Sequence, residues 1–105
     1  MLRESVKIGG DVYAIKYVSP LVVNNGVVAG RICFDTSLIQ IDTGRSVSRQ
    51  KQTLWHEVVH SFIRLRGVEP YVEAERVELV VDQIAEGLHA LMTDNGVEFW
   101  EVEEA

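Results

Sequence analysis

Residues 53–63 read Thr-Leu-Trp-His-Glu-Val-Val-His-Ser-Phe-Ile, which sets His56 and His60 four positions apart with Glu57 beside the first. On an α-helix, positions i and i+4 lie one above the other on the same face, so both imidazoles can reach one ion. Glu57 falls about 100° round the helix from His56, near enough to address a water at that ion without ligating it. In H-E-x-x-H sites two imidazoles hold zinc and the carboxylate serves as general base. Zinc accepts imidazole nitrogen readily and keeps one position open in catalytic sites. The run is flanked by Leu54, Trp55, Val58, Val59, Phe62 and Ile63, which would bury the helix. A buried His-Glu-His set is costly without a metal.

A catalytic zinc needs a third protein ligand, and the acidic residues downstream supply it. Glu78 and Asp82 are i and i+4 on the border between the apolar and polar faces of a second helix. Glu78 is the expected third ligand and Asp82 the expected partner of a histidine N–H; Asp82 itself, Glu75 and Glu73 are the alternatives. Tyr71, in the link between the helices, is the candidate donor to a developing oxyanion, with interhelical packing as its other role. His89 shares the Glu78 stripe but sits about 16 Å further along the helix, too far to join the same ion. It is expected to be partly buried and hydrogen-bonded.

The elements that must position these residues follow from pattern. Residues 5–8 and 12–18 alternate β-branched and aromatic side chains around Gly9-Gly10-Asp11, which predicts a hairpin. Asn24-Asn25-Gly26 marks a loop. Residues 30–34 and 38–42 flank Asp35-Thr36-Ser37 and predict a second hairpin closed by Thr43-Gly44. Ser46 or Ser48 can cap a helix that runs to about Arg66 and stops at Gly67. Beyond Pro70, residues 73–93 predict a second helix ended by Asn95-Gly96. Val77, Val80, Val81, Ile84, Leu88 and Leu91 recur there at helical spacing as its core face. Residues 97–102 read as a last strand or a packed extension, with Trp55 and Trp100 as core residues. The fold class is therefore α+β, a small N-terminal antiparallel sheet of hairpins packed on two long helices, in one domain over residues 1–105.

Bulk properties narrow the function. A net charge of -6 excludes the basic surface that nucleic-acid binding requires. Arg45, Arg49 and Lys51 bunch before the motif, but three charges read as a solvated loop and helix start. The single cysteine, Cys33, excludes an intramolecular disulfide and a multi-cysteine zinc site. The N-terminus lacks a signal-peptide apolar run, and no stretch approaches the ~20 apolar residues of a membrane span. A cytoplasmic protein is expected.

The order of a strand ending in Leu38-Ile-Gln-Ile-Asp42, then Gln52-Thr-Leu-Trp-His-Glu-Val-Val-His60, then Glu78-Leu-Val-Val-Asp-Gln-Ile-Ala-Glu-Gly-Leu88 with Asp94-Asn95 after it, resembles a known group. It is similar to the small, often phage-encoded zinc metallopeptidases related to the ImmA/IrrE family, which are compact gluzincin-like domains. The resemblance covers roughly residues 28–95. It implies a hydrolase with His56 and His60 as zinc ligands, Glu57 as catalytic glutamate and an acidic residue of the second helix as third ligand. It also implies a protein or peptide substrate paired with the strand at residues 38–42. Members often carry an extra DNA-binding or sensor domain, for which this chain has no room. The expected activity is peptide-bond hydrolysis. The alternatives are a metal-bearing module that docks a phage or host protein with little turnover, and a purely structural domain.

Overall fold

The computed structural model describes residues 2–102. Six strands precede two long helices: β1 (Ser5–Ile8), β2 (Asp11–Val18), β3 (Val22–Val23), β4 (Gly26–Val27), β5 (Gly30–Cys33), β6 (Leu38–Asp42), α1 (Val47–Leu65) and α2 (Val77–Asp94). Four of the strands form one sheet in the order β1-β2-β6-β5, while β3 and β4 make a separate small hairpin.

Both expected hairpins are present. Ile8 pairs with Asp11 across Gly9-Gly10, whose φ angles of 59° and 93° are those a primed two-residue turn demands. Cys33 pairs with Leu38 to close β5 onto β6. The hairpins are joined by a parallel pairing of β2 with β6, Ala14 opposite Leu38 through Val18 opposite Asp42. The sheet is thus mixed rather than antiparallel throughout. The β3–β4 excursion carries the chain past the sheet, so β5 enters on the outer side and β6 fills the slot beside β2.

This order corrects the expected role of residues 38–42. With β2 on one side and β5 on the other, β6 has no free edge to offer a peptide. The edge strands are β1 and β5, and β5 is the one packed against α1. Because Asp42 N–H donates to the Ala29 carbonyl at 2.8 Å and Arg31 lies opposite Gln40, alternation turns the N–H and C=O groups of Gly30 and Ile32 outward.

Ser46 caps α1 by accepting the Arg49 N–H at 3.2 Å, and Gly67 follows its last turn with φ 72°. The inner face of α1 puts Leu54 and Val58 onto Ile39 and Ile41 of the sheet, with Tyr13, Ile15 and Trp100 around them. Trp100 is 3% exposed. The segment after α2 is a packed extension rather than a strand. The Phe99 and Trp100 carbonyls accept from Arg3, and Leu2 forms an isolated bridge with Glu101.

A second, smaller core joins the helices through Val59, Ile63, Val81 and Ala85. It covers a narrower stripe of α2 than the spacing predicted. Val81 is buried and Val77 and Leu88 are half-buried, but Ile84 and Leu91 are 44% and 55% exposed. The reason is geometric: the large contact surface of α2 is α1 alone, and one helix shields a narrower arc than a helix and a sheet together. The second helix also starts later than residue 73, because two short 3-10 turns, Glu69–Tyr71 and Ala74–Arg76, fill the link.

Candidate metal centre

Two contacts of α1 with its neighbours fix the site. On the sheet side, a Cβ at Gly30 would overlap the Thr53 methyl and lie 3.7 Å from the Glu57 Cγ. Only a glycine lets the strand come this close to the helix. The approach leaves Glu57 4% exposed. On the other side, the α1–α2 packing at Val59, Val81 and Ala85 brings the acidic border of α2 over the histidines.

His56, Glu57 and His60 form a candidate metal-binding group, with one donor atom of each within 4.8 Å of the others. The two imidazole centroids are 4.8 Å apart. Glu78 spans them: one carboxylate oxygen lies 2.9 Å from His60 Nε2 and the other 3.2 Å from His56 Nε2. The Asp82 carboxylate stands behind the first ring, 2.8 Å from His56 Nδ1.

His56 therefore has a carboxylate on each ring nitrogen. A neutral imidazole carries a single N–H, and a carboxylate only accepts. One nitrogen must then face a carboxylate lone pair unless a cation, either a second proton or a metal ion, lies between them. The donor set fits a metal on this ground. With Nδ1–H given to Asp82, Nε2 is bare and aimed where Glu78 also points.

The Glu57 Oε2 is buried and has no hydrogen-bond partner among the described residues. Burial, with a smaller contribution from the Glu78 charge, pushes this carboxyl up to about 8. In the absence of a cation Glu57 is thus protonated at neutral pH, and a nearby dication would favour its ionised form. Burial also holds the His60 imidazole below its ordinary value, against the opposing pull of Glu78.

The other acidic residues do not converge. Glu73 pairs with Arg76 at 3.2 Å, and Glu75 is exposed in the second 3-10 turn. Tyr71 is 88% exposed in the first turn and does not line the cavity that holds His56 and Glu57. His89 is half-buried, as expected, and lies near Glu98 in a separate cleft with Trp55 and Phe99, with no side-chain hydrogen bond among the described residues.

The cavity over the site has a volume of about 280 Å³ and is open to solvent. Its walls include residues that the sequence did not assign to the site: Gly30 on β5, Arg49, which read as part of a solvated helix start, and Gln52 and Thr53 on α1. The signal for the last three was present, since positions 49, 52, 53 and 56 follow the i, i+3, i+4, i+7 spacing of one helix face. Gly30 carried none, because only tertiary packing defines its close contact.

Set against known proteins, the chain matches no family model, no curated protein and no solved structure at a significant level. Among the described residues no helix is long and apolar enough to cross a membrane. What the site does must be argued from its own geometry.

Proposed function

We propose that the chain is a zinc-dependent peptidase, in line with its sequence resemblance to compact ImmA/IrrE-type metallopeptidases. The observation that carries this reading is the placement of His56 between two carboxylates, above a buried glutamate with an unpartnered oxygen. A site with one carboxylate too many for its protons calls for a cation. An imidazole pair with one carboxylate suits zinc.

His56, His60 and Glu78 would hold the metal, and Asp82 would fix the His56 tautomer by accepting its Nδ1 proton. Bound zinc supplies Lewis acidity, polarising a carbonyl and lowering the pKa of water. Glu57 does the proton work. It takes a proton from the attacking water as oxygen bonds to the scissile carbonyl carbon, and returns it to the amine nitrogen as the C–N bond breaks. Its burial excludes bulk water as a competing acceptor. The outward N–H and C=O groups of Gly30 and Ile32 give an extended peptide a strand to pair with beside Glu57.

The test has two parts. Zinc is measured by atomic emission on protein purified without chelator or histidine tag, beside His56→Ala. One zinc per chain, lost in the variant, is expected. Hydrolysis of quenched fluorescent peptides is then compared between wild type and Glu57→Gln, with activity abolished in the variant while zinc is retained. Full activity in Glu57→Gln removes the mechanism. Zinc without hydrolysis leaves a metal-bearing binding module.

A further inference from the structure

The three bases that bunch before the motif meet different fates. Arg45 pairs with the buried Asp42 at 3.5 Å, and Lys51 with Glu98 at 2.8 Å. The Arg49 guanidinium has neither an ion-pair nor a hydrogen-bond partner among the described residues, and Arg49 is one of the residues that line the cavity containing His56 and Glu57. Among the described residues it is the one arginine or lysine of that wall, in a chain of net charge -6. We propose that Arg49 is a specificity determinant that binds a carboxylate of the peptide substrate, a reading that rests on the peptidase function above.

Distance and direction support the assignment. Arg49 lies eight residues before Glu57, a rise of about 12 Å along α1. That is the length of roughly three to four residues of extended peptide. β5 runs alongside α1 in the same sense: Gly30 sits against Thr53 and Glu57, and Phe34 lies under the Arg64 guanidinium at 4.5 Å. A peptide added antiparallel to β5 therefore runs its C-terminal half past Gly30 towards Arg49. The carboxylate there is either an acidic side chain three to four residues beyond the scissile bond or the peptide's own C-terminus. Arginine suits both, because its planar fork binds a carboxylate in bidentate fashion.

Binding can be read apart from turnover. Three fluorescein-labelled decapeptides of one alanine- and valine-rich sequence serve as probes against zinc-loaded Glu57→Gln protein, followed by anisotropy. The first has an internal glutamate and an amidated C-terminus, the second glutamine and an amidated C-terminus, and the third glutamine and a free C-terminal carboxylate. One of the two carboxylate peptides is expected to bind about tenfold tighter than the uncharged one, a charge-assisted hydrogen bond's worth, and which one does so identifies the source. The preference should vanish when Arg49→Gln is added and partly return with Arg49→Lys. Equal affinities for all three, or a preference that survives Arg49→Gln, overturns the proposal. Incubating the preferred peptide with wild type tests the underlying reading separately: an uncleaved peptide with the Arg49-dependent preference intact sinks the peptidase function but not the carboxylate site.

Discussion

At the residue scale, the buried carboxyl of Glu57 ties function to a measurable weakness of the metal-free protein. Its folded value of about 8 stands well above the 4.5 of an exposed glutamate. The unfolded chain therefore loses this proton first as pH rises, and the group's support for the fold is full below pH 4.5. It declines between 4.5 and 8 and is spent above that. Glutamine has the same shape and no proton to lose. In chelator, Glu57→Gln should match wild type near pH 5 and exceed it in melting temperature by several degrees at pH 8.5. The difference between the two proteins is the quantity to follow, because the depressed His60 titration shapes both curves alike. No difference at pH 8.5 would mean that water reaches the carboxylate. Asp82 makes a second residue-scale prediction. With its carboxylate contact to His56 Nδ1 weakened, Asp82→Asn should lower zinc affinity by roughly 10- to 100-fold, read by competition with a chelating dye, while Glu73→Gln should leave it unchanged.

Elements decide how close these residues come. Gly30 is where β5 meets α1, and Gly30→Ala would drive a methyl into that of Thr53. A cost of about 1–3 kcal/mol is expected in urea denaturation, with loss of zinc affinity as Glu57 is displaced. Thr53→Ser removes the obstructing methyl and keeps the hydroxyl that donates to the Arg49 carbonyl at 2.8 Å. The double variant should therefore recover much of the loss, and additive effects of the two changes would show that the contact is not the cause. Both ends of α1, the end of α2, both main hairpins and the His56–Glu57–His60 face were legible because capping, turn chemistry and periodicity are local, whereas the start of α2 was displaced by the 3-10 turns before it. Strand order was not legible. Whether a hairpin enters a sheet by its first or second strand depends on the path of the link before it. That is why the strand that the resemblance assigned to substrate pairing, residues 38–42, lies inside the sheet while β5 has the edge beside the site. Arg49 was legible as a charge on the His56 face of α1, but the cavity it lines was not, since Gly30 and Asp82 of that wall come from other elements.

Across the whole molecule, two cores of unequal size leave α2 the least secured part. The sheet and the inner face of α1 share a cluster that includes Tyr13, Ile39, Ile41, Leu54 and Trp100, whereas α2 buries only Val81 and Ala85 fully. A buried valine contributes about 1.5–3 kcal/mol, little with which to hold an 18-residue helix in place. The contacts of Glu78 and Asp82 with the histidines are the other tie between the helices, and without a cation they oppose two carboxylates across one ring. Zinc would convert that conflict into a clamp between α1 and α2. Hydrogen exchange can follow the consequence. In chelator, the amides of Val81 and Ala85 should exchange faster than those of Ile15, Ile39 and Ile41, because α2 opens below the free energy of global unfolding. Zinc at a hundredfold excess over its dissociation constant should raise the opening free energy by about 2.7 kcal/mol, slowing α2 exchange roughly a hundredfold. If α2 and the sheet exchange at a common rate in chelator, the molecule is one cooperative unit and the metal is not needed to dock the helix. If α2 is faster but zinc leaves its rate unchanged, Glu78 does not reach the ion, and the third ligand must lie outside α2.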